Sequence, residues 1–392
     1  MDSSPFPRIY LDHCASTPLD PEVEEACIRA LRDHAGNPSS LHAEGAAARS
    51  ALEQAREQVA ALIGARPDEI VFTSGATESN GLALHGLVRG SAEAAGAARR
   101  AVTSAVEHPS VAEPLAALED DGLEITRLAV GADGRLDLAS LEAALRDGPA
   151  LVSIQHANHE TGVRQPLAAI AASAKQRGAW LHSDASQALG RLPIDVGSVA
   201  VDLLSGSAHK LNGPKGAGFL YVRRGVPLAP LLRGGPQERR RRAGTPSLVG
   251  AVGLGAACAL ARREGARRAA ESARLRDRLW EGIVAKVPGV VRHGAATDAL
   301  PHVLNVEFRD VAGEALLAAL DLEGVAVSTG AACSSGSLEP SPVLLAMGVP
   351  PARARCAIRL SVGLGVDDAK VDHVLTLLPD LVARIRAAAG PA

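Results

Sequence analysis

Ile70-Val71-Phe72-Thr73-Ser74-Gly75-Ala76-Thr77-Glu78-Ser79-Asn80 reads as a short apolar strand that stops in small residues and runs into a helical pattern. Small residues between a strand and a helix leave the first helical N–H groups free beside the positive end of the dipole, where an anion, most naturally a phosphate, is received. The same residues would also make a plain N-cap. Outward from this stretch, between about residues 67 and 222, β-like runs at 101–104, 151–154, 180–182, 203–205 and 218–222 alternate with Ala/Leu/Arg/Glu-rich helical segments. That alternation predicts a mostly parallel sheet with helices on both faces. Ligands of such sheets sit at the carboxyl ends of the strands, so chemistry is sought just after each apolar run.

Two more strand ends carry groups with no hydrophobic reason to be there. Ser205-Gly206-Ser207-Ala208-His209-Lys210 sets a lysine among small residues. A lysine so placed can be desolvated and its amine used for a Schiff base, although a surface lysine in a turn has the same local appearance. His182-Ser183-Asp184-Ala185-Ser186-Gln187 sets a carboxylate after an apolar run. It could keep a pyridine nitrogen protonated so that the ring accepts electrons, or simply cap a helix. Together the three pieces give, in chain order, a phosphate cradle, a pyridinium partner and a Schiff-base lysine.

The bulk properties bound what surrounds these pieces. The chain has 392 residues, 47% hydrophobic, 22% charged and only 2% aromatic, so its core must be built mainly from Ala, Leu, Val and Ile. Single cores stop growing near 250–300 residues, which suits a large domain with a smaller satellite. The expected division is a large domain at 16–261 and a small one formed by 1–15 with 262–392, joined by a helical stretch near 247–287. The small part carries β-like runs at 302–308, 325–328 and 357–361 and ends in an amphipathic helix after Asp367. A net charge of −3 gives no basic field for nucleic acid, and the basic run Arg239-Arg240-Arg241-Arg242 reads as a solvated loop. Neither a signal-like start nor an apolar run near 18 residues is found, so a cytoplasmic protein without membrane contact is expected. The five cysteines, Cys14, Cys27, Cys258, Cys333 and Cys356, are scattered, which argues against a disulfide framework or a metal site.

With further stretches in order, namely Tyr10-Leu11-Asp12, Gly36-Asn37-Pro38-Ser39-Ser40, Glu107-His108, Asn158 with Glu160-Thr161-Gly162-Val163, Arg242-Ala243-Gly244-Thr245 and residues 328–340, the chain resembles the class V, fold-type I aminotransferases nearly end to end, specifically the cysteine desulfurases of the NifS/IscS kind. The resemblance implies the fold type I of pyridoxal-phosphate-dependent transferases, an α/β architecture whose large domain holds a mostly parallel seven-stranded sheet beside a smaller α+β C-terminal domain. It implies pyridoxal 5'-phosphate as cofactor, with Lys210 as the Schiff-base lysine, Asp184 on the pyridine nitrogen, Gln187 on the phenolic oxygen, and His108 stacked on the ring and shuttling protons. Thr77, Ser207 and His209 would hold the phosphate, joined by Thr245 from the other subunit of a homodimer, and Ala76 would also touch the cofactor. Asn37, Asn158 and Arg359 would hold the substrate carboxylate, with Asn158 also beside the cofactor. His156 and His159 look structural or peripheral by comparison.

The fold would permit several reactions, and Cys333 is what separates them. It lies in a run of small residues, 328–340, before Ser341-Pro342, a good helix start. Such a loop has few side chains with which to pack and suits a thiol carried in and out of a pocket. Cys258, and with it Cys27 and Cys356, read instead as small hydrophobes. The implied reaction converts L-cysteine to L-alanine and leaves a persulfide on Cys333 for an acceptor protein such as an iron–sulfur scaffold or a tRNA-thiolation protein. A selenocysteine lyase, another aminotransferase or a β-eliminase of the same fold would share most of these residues. The chain departs from the family pattern at Cys14, Ser16, Gly81 and His159, which bears on the wall of the substrate pocket.

Overall fold

The computed structural model describes residues 8–93, 100–146, 148, 151–329 and 339–389. Its strands are β1 (Ile9–Tyr10), β2 (Ile70–Thr73), β3 (Arg100–Ser104), β4 (Glu124–Leu128), β5 (Leu151–Ser153), β6 (Trp180–Asp184), β7 (Leu203–Ser207), β8 (Gly218–Val222), β9 (Val290–His293), β10 (Val303–Phe308), β11 (Val325–Ala326) and β12 (Ala357–Ser361). Seven of them form one sheet in the order β2-β8-β7-β6-β5-β3-β4. Every pair from β7 to β4 is parallel, and β8 alone runs against its neighbours β7 and β2. The expected mostly parallel, seven-stranded sheet is therefore present.

Side chains alternate across a strand, so a strand buried on both faces feeds two cores. Ile70, Phe72, Leu204, Phe219 and Tyr221 point into one, with Val59, Ile63 and Leu254. Val71, Leu203, Leu220 and Val222 point into the other, with Leu82, Leu87 and Leu115. The edge strand β4 was not legible in the sequence, because Glu124-Ile125-Thr126-Arg127-Leu128 is largely exposed and lacks an apolar run. It is held in register by β3 and by the two-point pairing of Arg100 with Glu124.

The C-terminal part has an antiparallel sheet in the order β12-β10-β9, and β1 crosses to pair in parallel with β11. The β-like run expected at 325–328 is a strand only over Val325–Ala326, with Ser328 bridging to Arg359. A third core lies here, built from Leu11, Leu279, Ile283, Phe308, Leu316 and Ile358 among others. The helix Leu248–Lys286 runs through both halves of the chain: Leu254 and Cys258 sit in the first core, Leu275, Leu279 and Ile283 in the third. Of the cysteines expected to be small hydrophobes, Cys258 is fully buried, whereas Cys27 and Cys356 are only half-buried near helix surfaces.

Candidate active site

Asp184 ends β6 and Ser207 ends β7, and the turn Ala208–Lys210 follows at once. The helix Ala76–Glu93 starts two residues after β2, and His108 caps the helix Pro109–Asp120 that follows β3. All these ends open at the carboxyl edge of the sheet on one cavity of about 550 Å³. Ala76, Thr77, His108, Asp184, Gln187, Ser207, His209, Lys210 and Arg359 all line it. A close backbone approach shapes the cradle: a Cβ added at Gly218 would meet Gly75 Cα at 2.6 Å, so β8 must carry glycine here.

Asp184 is buried and fully engaged. Ser186 N donates to its Oδ1 over 2.9 Å, and Asn80 Nδ2 donates to its Oδ2 over 2.8 Å. Asn80 Nδ2 also reaches Ser110 Oγ at 2.9 Å, and Ser110 Oγ lies 2.8 Å from His108 Nδ1, so a polar chain links the carboxylate to the imidazole. Burial, with a smaller push from the Lys210 charge, lowers the His108 pKa, which keeps its imidazole neutral at physiological pH. Just outside, Glu107 is buried under Gln155, whose N–H donates to it at 3.0 Å; burial raises its pKa to about 8. Sequence reasoning missed Asn80, Ser110 and Glu107 as supports. Asn80 stood in the opening motif, and Glu107 next to His108 was the other signal.

Lys210 Nζ donates to the carbonyls of Cys14 and, over 2.7 Å, Ala15. Gln187 Nε2 donates to the same Cys14 carbonyl at 2.9 Å, while its Oε1 is buried without a partner. His209 Nδ1 lies 3.3 Å from Ser16 Oγ, and burial, helped by Lys210 and Lys215, lowers its pKa to about 4. Cys14 and Ser16, read as family departures that bear on the pocket wall, thus line the cavity with Ala15 between them.

Arg359 reaches the cavity from β12 and is 2% exposed. Its Nη2 binds Asp12 Oδ1 at 2.7 Å and its Nη1 donates to the His159 carbonyl at 3.2 Å, leaving Nε buried and unpartnered. His159, read as structural or peripheral but also as a departure bearing on the pocket wall, lines the cavity with its ring edge-on to His108 at 5.1 Å, on a turn whose carbonyl accepts from Arg359. The structure does not bring every expected residue to the cavity. Asn158 is buried in that turn, its Oδ1 accepting from Glu160 N and Thr161 N and its Nδ2 donating to Val106 O. Asn37 is exposed, its Oδ1 accepting from Ser39 N. Thr245 lines a separate crevice with Ser74 and Arg242. That crevice is tied to the cradle by Arg242 Nε on Glu78 Oε1 at 2.8 Å. Cys333 lies outside the described residues.

The chemistry of this donor set fits pyridoxal 5'-phosphate. Free helix-start N–H groups at Ala76 and Thr77 suit a phosphate. A buried carboxylate suits a protonated ring nitrogen, a flanking imidazole suits the ring face, and the unpartnered end of Gln187 is a polar group left waiting for a ligand.

The comparisons with known proteins agree. The family Aminotransferase class-V matches residues 9–374. The chain is 45% identical over 379 residues to the cysteine desulfurase of Trichormus azollae, covering 97% of this chain and 94% of that protein. Among solved structures, a NifS-like protein superposes with a TM-score of 0.89 at 34% identity, over 96% of this chain and all of that one. SspA in complex with cysteine superposes with a TM-score of 0.80 at 36% identity, over 91% and 99% of the two chains. With a family match over nearly its whole length and a relative this similar, the chain belongs to the class-V aminotransferases and, within them, to the cysteine desulfurases.

Proposed function

We propose that the enzyme takes the sulfur of L-cysteine onto Cys333 and releases L-alanine. The observation that carries the reading is that Lys210, from the large sheet, and Arg359, from the C-terminal sheet, open on one cavity with Asp184 at its wall. Bound pyridoxal phosphate supplies an electron-accepting ring that takes up the charge left on the substrate's Cα when its proton departs. Lys210 Nζ holds the cofactor and moves that proton, and Asp184 keeps the ring nitrogen protonated. Arg359 binds the substrate carboxylate; its planar fork and unpartnered Nε suit that group. Neutral His108 can accept and return a proton at the substrate. The Cys333 thiolate attacks the substrate sulfur: a sulfur–sulfur bond forms, the carbon–sulfur bond breaks with its electron pair passing to the carbon skeleton, and protonation there yields alanine.

The cavity wall supports nine of the expected site residues; Asn37, Asn158, Thr245 and Cys333 rest on the sequence resemblance. A homodimer is part of the proposal, since Thr245 lies outside its own chain's cavity and would complete a partner's phosphate site. The two-domain division at residue 261 is likewise proposed, supported by the separate cores that the helix Leu248–Lys286 joins. An acceptor protein for the persulfide and a cytoplasmic setting complete the reading; among the described residues no helix is long and apolar enough to cross a membrane. The test is alanine and sulfide production from cysteine with a thiol reductant and no keto acid, compared with Lys210→Ala. Alanine formation that requires a keto acid, or an unchanged rate in Lys210→Ala, refutes the proposal.

A further inference from the structure

The turn at 158–163 touches the C-terminal sheet as well as the cavity. Leu300 N donates to Gly162 O at 2.7 Å, and Val163 bridges to Ala299. Glu160 lies in this turn, 2% exposed, and its Oε2 accepts from Ser341 Oγ at 2.5 Å. Ser341 is itself buried and caps the helix Pro342–Ala346, its Oγ accepting from Leu344 N at 3.1 Å. Further back in the chain, Ser328 exchanges two backbone hydrogen bonds with Arg359, at 3.1 and 2.6 Å. In the sequence, Cys333 lies between Ser328 and Ser341. Arg359 donates to the His159 carbonyl, so one circuit of contacts runs from Ser328 through Arg359, His159 and Glu160 to Ser341.

Stability does not account for a carboxylate at this place. Burial raises the Glu160 pKa, against the Ser341 hydrogen bond and the Arg359 charge, so the bond leaves part of the lost hydration uncompensated. His159 Nε2, 3.7 Å from Glu160 Oε1, belongs to a neutral imidazole, because burial holds the His159 pKa well below its ordinary value. A buried charge of this kind is weak support for a fold. What the short bond to Ser341 does fix is geometry.

We infer that Glu160 is a positioning residue for the sulfur-accepting thiol, a role that rests on the reading that Cys333 takes the sulfur: bonded to Ser341, it fastens the returning end of the Cys333 segment to the turn that also steadies Arg359. Ser328 on Arg359 fixes one end of that segment and Ser341 on Glu160 the other. Two fixed ends limit how far a group tethered between them travels, which raises its effective concentration at the substrate. Because Arg359 also binds the substrate carboxylate in that reading, attacking thiol and substrate share one frame.

The test is single-turnover persulfide formation on Cys333 in the holoenzyme, measured over a range of cysteine concentrations. Ser341→Gly removes the hydroxyl but keeps most of the helix cap. It should lower the maximal rate by about tenfold or more, since a misplacement of about 1 Å costs up to about a hundredfold. The half-saturating cysteine concentration should stay within about twofold, and the cofactor absorbance should be kept, because substrate and cofactor binding do not use the hydroxyl. Ser341→Thr, which retains the hydroxyl, should restore the rate. Glu160→Ala should be slowed as well, and Ser341→Gly should slow the wild type by more than it slows Glu160→Ala. If Glu160→Ala does not fold, Ser341→Gly against Ser341→Thr still decides. A Ser341→Gly maximal rate within about twofold of wild type, or equal slowing in the two backgrounds, overturns the positioning role; a wild-type enzyme that forms no persulfide on Cys333 overturns the reading beneath it.

Discussion

Arg56 and Glu238 offer the sharpest test of what holds the cofactor cradle in place. The two side chains are 3% and 2% exposed and meet in a two-point pair, Nη1 to Oε2 and Nη2 to Oε1, both at 2.8 Å. Glu238 Oε2 also accepts from Phe72 N at 2.9 Å, and Arg56 Nη1 donates to Ile70 O at 2.8 Å, with the guanidinium 4.7 Å over the Phe72 ring. The pair thus fastens the turn that leads to Arg242 and Thr245 onto β2, the strand that feeds the helix start at Ala76. Glu238→Gln removes the charge and one acceptor while keeping the shape. Breaking a buried pair by neutralising one partner costs about 3–5 kcal/mol, since a buried charge is left uncompensated. The lower end, about 3 kcal/mol, is expected here. Glu53, which is half-exposed, still accepts from Arg56 Nε at 3.1 Å. Urea unfolding of the holoenzyme measures the loss, and the double variant Arg56→Leu with Glu238→Leu should recover much of it, because a packed apolar pair carries no desolvation cost. A Glu238→Gln protein within about 0.5 kcal/mol of wild type, the range of ordinary surface changes, or strictly additive single variants, would refute the reasoning.

Gly218→Ala should weaken pyridoxal phosphate binding by roughly tenfold or more, since its Cβ would strike the Gly75 backbone and overpacking costs about 1–3 kcal/mol; retention of the cofactor colour through dialysis checks it. Glu107→Gln should flatten the pH dependence of stability. Folding raises the Glu107 pKa from 4.5 to about 8, so the native state binds the extra proton between those values, and wild-type stability falls as pH rises through that window. The difference should be largest above pH 8 and absent below 4.5, as read by unfolding at a series of pH values. Cys333→Ser should keep the fold, colour and cysteine binding but lose persulfide labelling and sulfide release, since an unactivated hydroxyl is a very poor nucleophile toward sulfur; wild-type sulfide release would make Cys333 a bystander.

The features written locally in the chain were legible from residue order alone. An apolar run followed by small residues is a strand end whatever surrounds it, so Ala76, Thr77, Asp184, Gln187, Ser207, His209 and Lys210 could be placed at the carboxyl edge of a parallel sheet, and all of them line one cavity. Contacts between distant parts of the chain were not legible in this way, because they follow from how the sheets pack. Arg359 pairs with Asp12, 347 residues away in sequence, because β1 crosses to β11 and brings the N-terminal segment beside β12. The same crossing turns Cys14 and Ala15 into the anchor of Lys210. Asn158 was drawn the other way, into a turn whose backbone N–H groups needed its oxygen. Strand ends follow from the period of side chains along a few residues, whereas these contacts depend on how two sheets close on each other, and no local period encodes that distance.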